Sequence, residues 1–97
     1  MGYLWAYNDA DIMDISSWSK TEKPVLSTAD LQGMVGPGHN SFVYDEEESL
    51  LLVYHARPLS HLVKKCGTYD EESIYDPCRH ARIKRVHFDE TGFPVIE

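Results

Sequence analysis

One histidine in this chain is reached through an unusually stiff stretch of backbone, "GPGHNSF", Gly36 to Phe42. The ring of Pro37 fixes one dihedral. The glycines on either side permit conformations closed to other residues and let neighbouring backbone come close. Such a segment fixes where the imidazole of His39 projects. On the local motif alone, a tight loop whose histidine is simply hydrogen-bonded is the favoured reading. His55, in "VYHAR", and His87 fall inside apolar runs and are expected to be packed, whereas His61 and His80 flank a long polar stretch and are expected to be exposed.

The 16 acidic residues are the next candidates. Cleaving a glycosidic bond takes two carboxyl groups facing each other in opposite protonation states. Here the acids cluster instead: Asp45 to Glu48 in one run, Asp70 to Glu72 in another, Asp89 and Glu90 in a third. Carboxylates crowded into turns read as solvated surface. Ser41 lacks the flanking pattern of a nucleophile elbow, so no serine triad is indicated. Cys66 and Cys78 are the two cysteines. Reduced thiols are the plainer reading, a disulfide between them is the alternative, and a zinc site from His61, Cys66, Cys78 and His80 fits none of the short paired-ligand spacings.

The elements that would position these groups are short strands. "GYLWAY", Gly2 to Tyr7, is aromatic-rich and strand-like. "NDADIMDISSWSK" offers one short helical turn capped by Asp9 or Asp11. Pro24 limits "TEKPVLS" to an edge or extended piece, and "LQGMVGPGH" reads as loop. From Asn40 the pattern is plainly β: "NSFVYD" and "LLLVYHA" flank the acidic turn "DEEES" and make a hairpin. The second run is apolar nearly throughout, which predicts cover on both faces. Arg57 to Asp76 has no steady period and reads as a long loop. In "RHARIKRVHF", Ala81 and Ile83 have one parity and Val86 and Phe88 the other, so either both faces are partly buried or a bulge shifts the register. "DETG" is a second turn and "FPVIE" a last strand, with Pro94 pointing to an edge position. The sum is an all-β antiparallel meander of about four strands, near 40–45, 50–56, 81–88 and 93–96.

Composition bounds what such a chain can meet. Its 97 residues hold one domain at most, and 9 basic against 16 acidic residues give a formal charge of −7. That balance argues against nucleic acid and against an anionic membrane as partners. "RHARIKR", with four cations in seven residues, reads as one solvated strand face. No apolar run approaches the roughly 18 residues needed to cross a bilayer. The N-terminus has no basic region, so no signal peptide is expected and a soluble, cytoplasmic location is the default.

Several stretches, in order, resemble one family. "GPGHNSF", "LLLVYHARP" and "YDPCRHARIKRVHFDETGFPVI", preceded by "DADIMDISSWSKTEKPVL", are similar to the C-terminal part of the catalytic domain of glycoside hydrolase family 43, which includes α-L-arabinofuranosidases, β-xylosidases and arabinanases. The resemblance covers about 90 of the 97 residues. It implies a five-bladed β-propeller of four-stranded antiparallel blades. Residues 36–97 would form the final blade, and residues 1–35 would close the preceding blade and connect to it. It also implies a site. His39 would sit at the base of the pocket, touching substrate and in many members ligating a central calcium, although one imidazole is an unusual calcium ligand. Arg79, at the start of the third strand, would contact the sugar, an arabinose- or xylose-containing saccharide.

The same resemblance places the family's inverting machinery, an aspartate base, a glutamic acid donor and an orienting aspartate, upstream of the matched region. No acidic residue here corresponds to them, so the chain is expected to carry no catalytic residue and to be a glycosidase fragment inactive by itself. A lone blade leaves its faces bare. Self-association into a homo-oligomer, or docking on missing upstream blades, is therefore expected, and a non-catalytic self-associating binding module is the alternative function.

Overall fold

The computed structural model describes residues 1–61 and 78–97. The long loop expected from Arg57 is strand at Arg57 and Pro58 and a 3₁₀ turn at Leu59–His61; the rest of it, with the acidic run Asp70 to Glu72, Cys66 and the side chain of His61, lies outside the described residues. Four strands lie side by side in chain order, each antiparallel to the next: β3 (Met34–Tyr44), β4 (Leu50–Pro58), β5 (His80–Phe88) and β6 (Pro94–Ile96). Two shorter strands, β1 (Leu4–Trp5) and β2 (Ser19–Lys20), pair antiparallel in a separate ladder. The fold is all-β, and the four-stranded antiparallel meander is the unit from which a propeller blade is made.

Short polar turns set the strand register. Between β3 and β4, Asp45 Oδ1 accepts from the backbone N–H groups of Glu47 and Ser49 at 2.9 and 2.8 Å. Between β5 and β6, Asp89 Oδ1 accepts from Thr91 N–H at 2.9 Å and Phe93 N–H at 3.0 Å, with Gly92 supplying a φ of 86°. An aspartate that binds the backbone two and four residues on mimics a turn's own hydrogen bonds. The helical turn expected in the leading segment is a 3₁₀ turn at Ile15–Ser17, capped by Asp14 rather than by Asp9 or Asp11: the Asp14 carboxylate accepts from Ser16 N–H at 2.9 Å.

One face of the sheet carries the core. Leu52, Tyr54 and Ala56 of β4, at alternate positions, are buried with Val86 of β5 and with Leu26 from the leading segment. Met1 and Leu31 pack against them, and the carbonyl of Met1 accepts from Val25 and Leu26 N–H at 2.8 and 3.2 Å. Residues ahead of β3 therefore cover this face. The opposite face is bare: Val43 is 48%, Ile83 65% and Val95 37% exposed. On β4 itself, expected to be covered on both faces, Leu51 and Val53 of this second face are half-buried. The broken parity of β5 has a simple origin. Its register against β4 runs without a shift from Arg85 to His80, so Val86 falls on the covered face and Ala81 and Ile83 on the bare one.

Three turn carboxylates are held below the ordinary 3.8. Asp14 is lowered chiefly by the Ser16 backbone N–H, Asp30 chiefly by the Ser27 backbone N–H, and Asp89 chiefly by the Thr91 hydroxyl. A carboxyl depressed by folding contributes stability in its ionised form. That contribution is complete above the unfolded value and disappears as pH falls through the folded one. The melting temperature is therefore expected to lose these turn contributions only below about pH 4, with part of the loss absent in Asp89→Asn. Thermal melts across an acid series check this, and a drop at pH 5–7 cancelled by that substitution would contradict it.

Candidate functional site

The start of β3 departs from a regular strand. The stretch from Met34 to His39, expected to be loop, lies within β3 and pairs with β4 at Met34, Val35 and Gly38, but the register shifts twice, between Val35 and Gly38 and again between Gly38 and Ser41. Gly36 has a φ of 64° and His39 a φ of 47°. Glycine takes such a left-handed value freely; for a histidine it costs roughly 1–2 kcal/mol. Strained backbone of this kind persists where the surroundings over-determine it, and it concentrates at functional sites.

What surrounds His39 is a second imidazole. The rings of His39 and His55 are stacked, with centroids 6.0 Å apart and planes 24° off parallel. Gly38 sits opposite His55 in the ladder, so close that a Cβ there would lie 3.4 Å from His55 Nε2. Arg79, one residue ahead of β5, brings its Nη1 to 3.1 Å from the same Nε2. Both residues singled out in the sequence, His39 and Arg79, thus meet at His55, and both are exposed while His55 is half-buried. His55, expected to be packed, is the hub of the cluster. His87, also expected to be packed, is exposed with its Nδ1 3.4 Å from Glu97 Oε1.

The chemistry available is hydrogen bonding from nitrogen donors beside a fixed positive charge. A guanidinium offers a planar fork of donors suited to paired hydroxyls and to holding nearby carboxylates ionised. The cluster does not fit calcium, which takes six to eight oxygen ligands. It presents imidazole nitrogens next to a cation, and among the described residues no group of three or more His, Cys, Asp or Glu side chains is placed to hold a metal ion. Cys78, adjacent to Arg79, is fully buried and disulfide-bonded. The reading of reduced thiols fails there. So does the four-residue zinc site, since a disulfide sulfur supplies no thiolate ligand.

No protein-family profile matches the chain. Individual relatives do. It is 35% identical over 95 residues to an extracellular exo-α-(1→5)-L-arabinofuranosidase of Streptomyces avermitilis, a match covering 97% of this chain and 18% of that protein. An α-L-arabinofuranosidase B of Pyricularia oryzae is likewise 35% identical, over 97% of this chain and 18% of its own length. The crystal structure of an α-L-arabinofuranosidase from Lactobacillus brevis superposes with a TM-score of 0.75 at 36% identity, covering 96% of this chain and 27% of the other. The chain belongs to the arabinofuranosidase family. It spans less than a fifth of the length of the curated members it matches. Among the described residues, no helix is long and apolar enough to cross a membrane.

Proposed function

We propose that this arabinofuranosidase-family chain forms the final blade of a family-43-type, five-bladed glycosidase that inverts configuration at an arabinofuranosyl linkage. In this reading residues 36–97 are that blade, residues 1–35 close the one before, and the substrate is an arabinose-containing rather than a xylose-containing saccharide. His39 and Arg79 contact the sugar. The observation that carries the reading is their convergence on His55 from two separate strands, at a strained backbone position open to solvent.

The catalytic carboxylates belong to other parts of the enzyme. A general acid must keep its proton near neutrality, which requires a raised pKa. Asp14, Asp30 and Asp89 are lowered by hydrogen bonds within their own turns, the opposite of what that role needs. Calcium, if the complete enzyme holds it at the propeller axis, takes its oxygens from elsewhere, with His39 as a single nitrogen contact.

Saccharide binding to the 97-residue chain tests this directly. L-Arabinose is expected to perturb the NMR signals of His39, His55 and Arg79, and Arg79→Ala to weaken binding about tenfold, the scale of one hydrogen bond to a charged group. Binding of xylose in preference to arabinose, or a response confined to other residues, rules the reading out. The chain alone should not hydrolyse a chromogenic arabinofuranoside, and measurable turnover would mean the carboxylates have been misplaced.

A second reading, a self-associating module, is favoured by the bare face that carries Val43, Ile83 and Val95. Light scattering behind size exclusion separates the two. A mass at a multiple of 11.1 kDa supports association through that face, and a lone 11.1 kDa species in dilute solution ends the second reading.

A further inference from the structure

Resting on the reading that His39 and Arg79 meet a sugar, we infer that His55 is the positioning residue of the site, with its Nε2 as the fixed acceptor that holds the Arg79 guanidinium. A guanidinium has five N–H donors and no acceptor. At 3.1 Å from Arg79 Nη1, His55 Nε2 must therefore accept, and it does so as the unprotonated nitrogen of a ring whose proton sits on Nδ1. This fixes a tautomer that the sequence leaves open.

The need for such an anchor follows from Arg79 itself. Its side chain is exposed and long, and an arginine carries about 2 kcal/mol of rotamer entropy. Each contact that holds it raises the fraction of time its fork is presented to a ligand. Tying one Nη to a rigid imidazole orders the group before a ligand arrives, which is where preorganisation gains affinity.

His55 is itself held on two sides. The His39 ring stacks on it, and Gly38 leaves just the clearance its Nε2 needs. At 3.4 Å, the Cβ of an alanine would only touch Nε2, whereas the branched side chain of valine would push the ring away. The strained, bulged Gly-Pro-Gly-His segment thereby acquires a purpose: it presses a ring and a gap against His55 from the neighbouring strand.

The experiment separates the acceptor role from simple packing. His55→Gln keeps an acceptor near the Nε2 position and discards the ring. His55→Phe keeps the ring and its stack and discards the acceptor. In the unliganded 97-residue chain, the wild-type His55 15N pattern should show Nε2 unprotonated, and the Arg79 guanidinium should give slowed-rotation signals. These signals should persist in His55→Gln and weaken in both His55→Phe and Gly38→Val. L-Arabinose affinity should stay within about twofold of wild type in His55→Gln and fall about tenfold in His55→Phe.

A protonated Nε2 in the wild type, or a His55→Phe variant that retains ordered Arg79 while His55→Gln loses it, overturns the inference. If arabinose binds none of these proteins, the functional reading falls, and the unliganded spectra still decide whether His55 holds Arg79.

Discussion

Leu52→Ala is expected to cost about 3 kcal/mol, within the 2–5 kcal/mol typical of truncating a buried leucine. Leu52 is 1% exposed and stands at the centre of the only buried cluster among the described residues, between Leu26 from the leading segment and Val86 of β5. The cavity left behind is hard to fill. β4 is a middle strand, held on one side by β3 and on the other by β5, so its backbone cannot collapse inward. A chain of this size has only about 5–15 kcal/mol of net stability to lose, and the six buried apolar residues among those described make a small core. Urea titration of the two proteins reads the difference directly. A midpoint unchanged from wild type would mean that the leading segment does not cover β4 in solution.

Breaking the Cys78 disulfide should act on a similar scale, about 2–5 kcal/mol for a small domain. Cys78 is wholly buried, and the next residue is Arg79, followed immediately by β5. Its loss therefore removes both a cross-link and the buried anchor for the segment that delivers the guanidinium to His55. A reductant should lower the melting temperature of the wild type and leave that of Cys78→Ala unmoved. If both melt alike without reductant, the cross-link contributes nothing and the sulfur serves only to fill space.

Much of this fold is legible in the sequence because its signals are local. The turns "DEEES" and "DETG" carry aspartates that bind their own backbone, and the strands they join start and stop within a residue or two of where alternation puts them. The start of β3 is the exception. Glycine and proline read as loop, yet Met34, Val35 and Gly38 are paired, because bulges absorb the conformations that glycine permits without ending the ladder. The hub of the site was missed for a related reason. His55 lies in an apolar run, which by itself points to packing. Counting outward from the pair Tyr44 and Leu50, a regular hairpin would set His39 directly opposite His55; a bulge moves Gly38 into that place and leaves the two rings stacked. The pairing was available from the hairpin count, and the displacement was not. The disulfide at Cys78 is the alternative that the sequence offers beside reduced thiols, and two cysteines in one chain do not by themselves decide between them.

The double bulge has a further consequence, for the outer rim of the sheet. A long, flat, unpaired strand is a template on which other chains add and fibrils grow. β3 is 11 residues long and forms one rim, but its first half is kinked at two places and contains Pro37, which has no N–H to offer. The other rim, β6, is three residues long and begins with Pro94. Both rims are thus poor seeds for strand-by-strand addition, so aggregation of the amyloid kind is disfavoured even while one sheet face stays apolar and open.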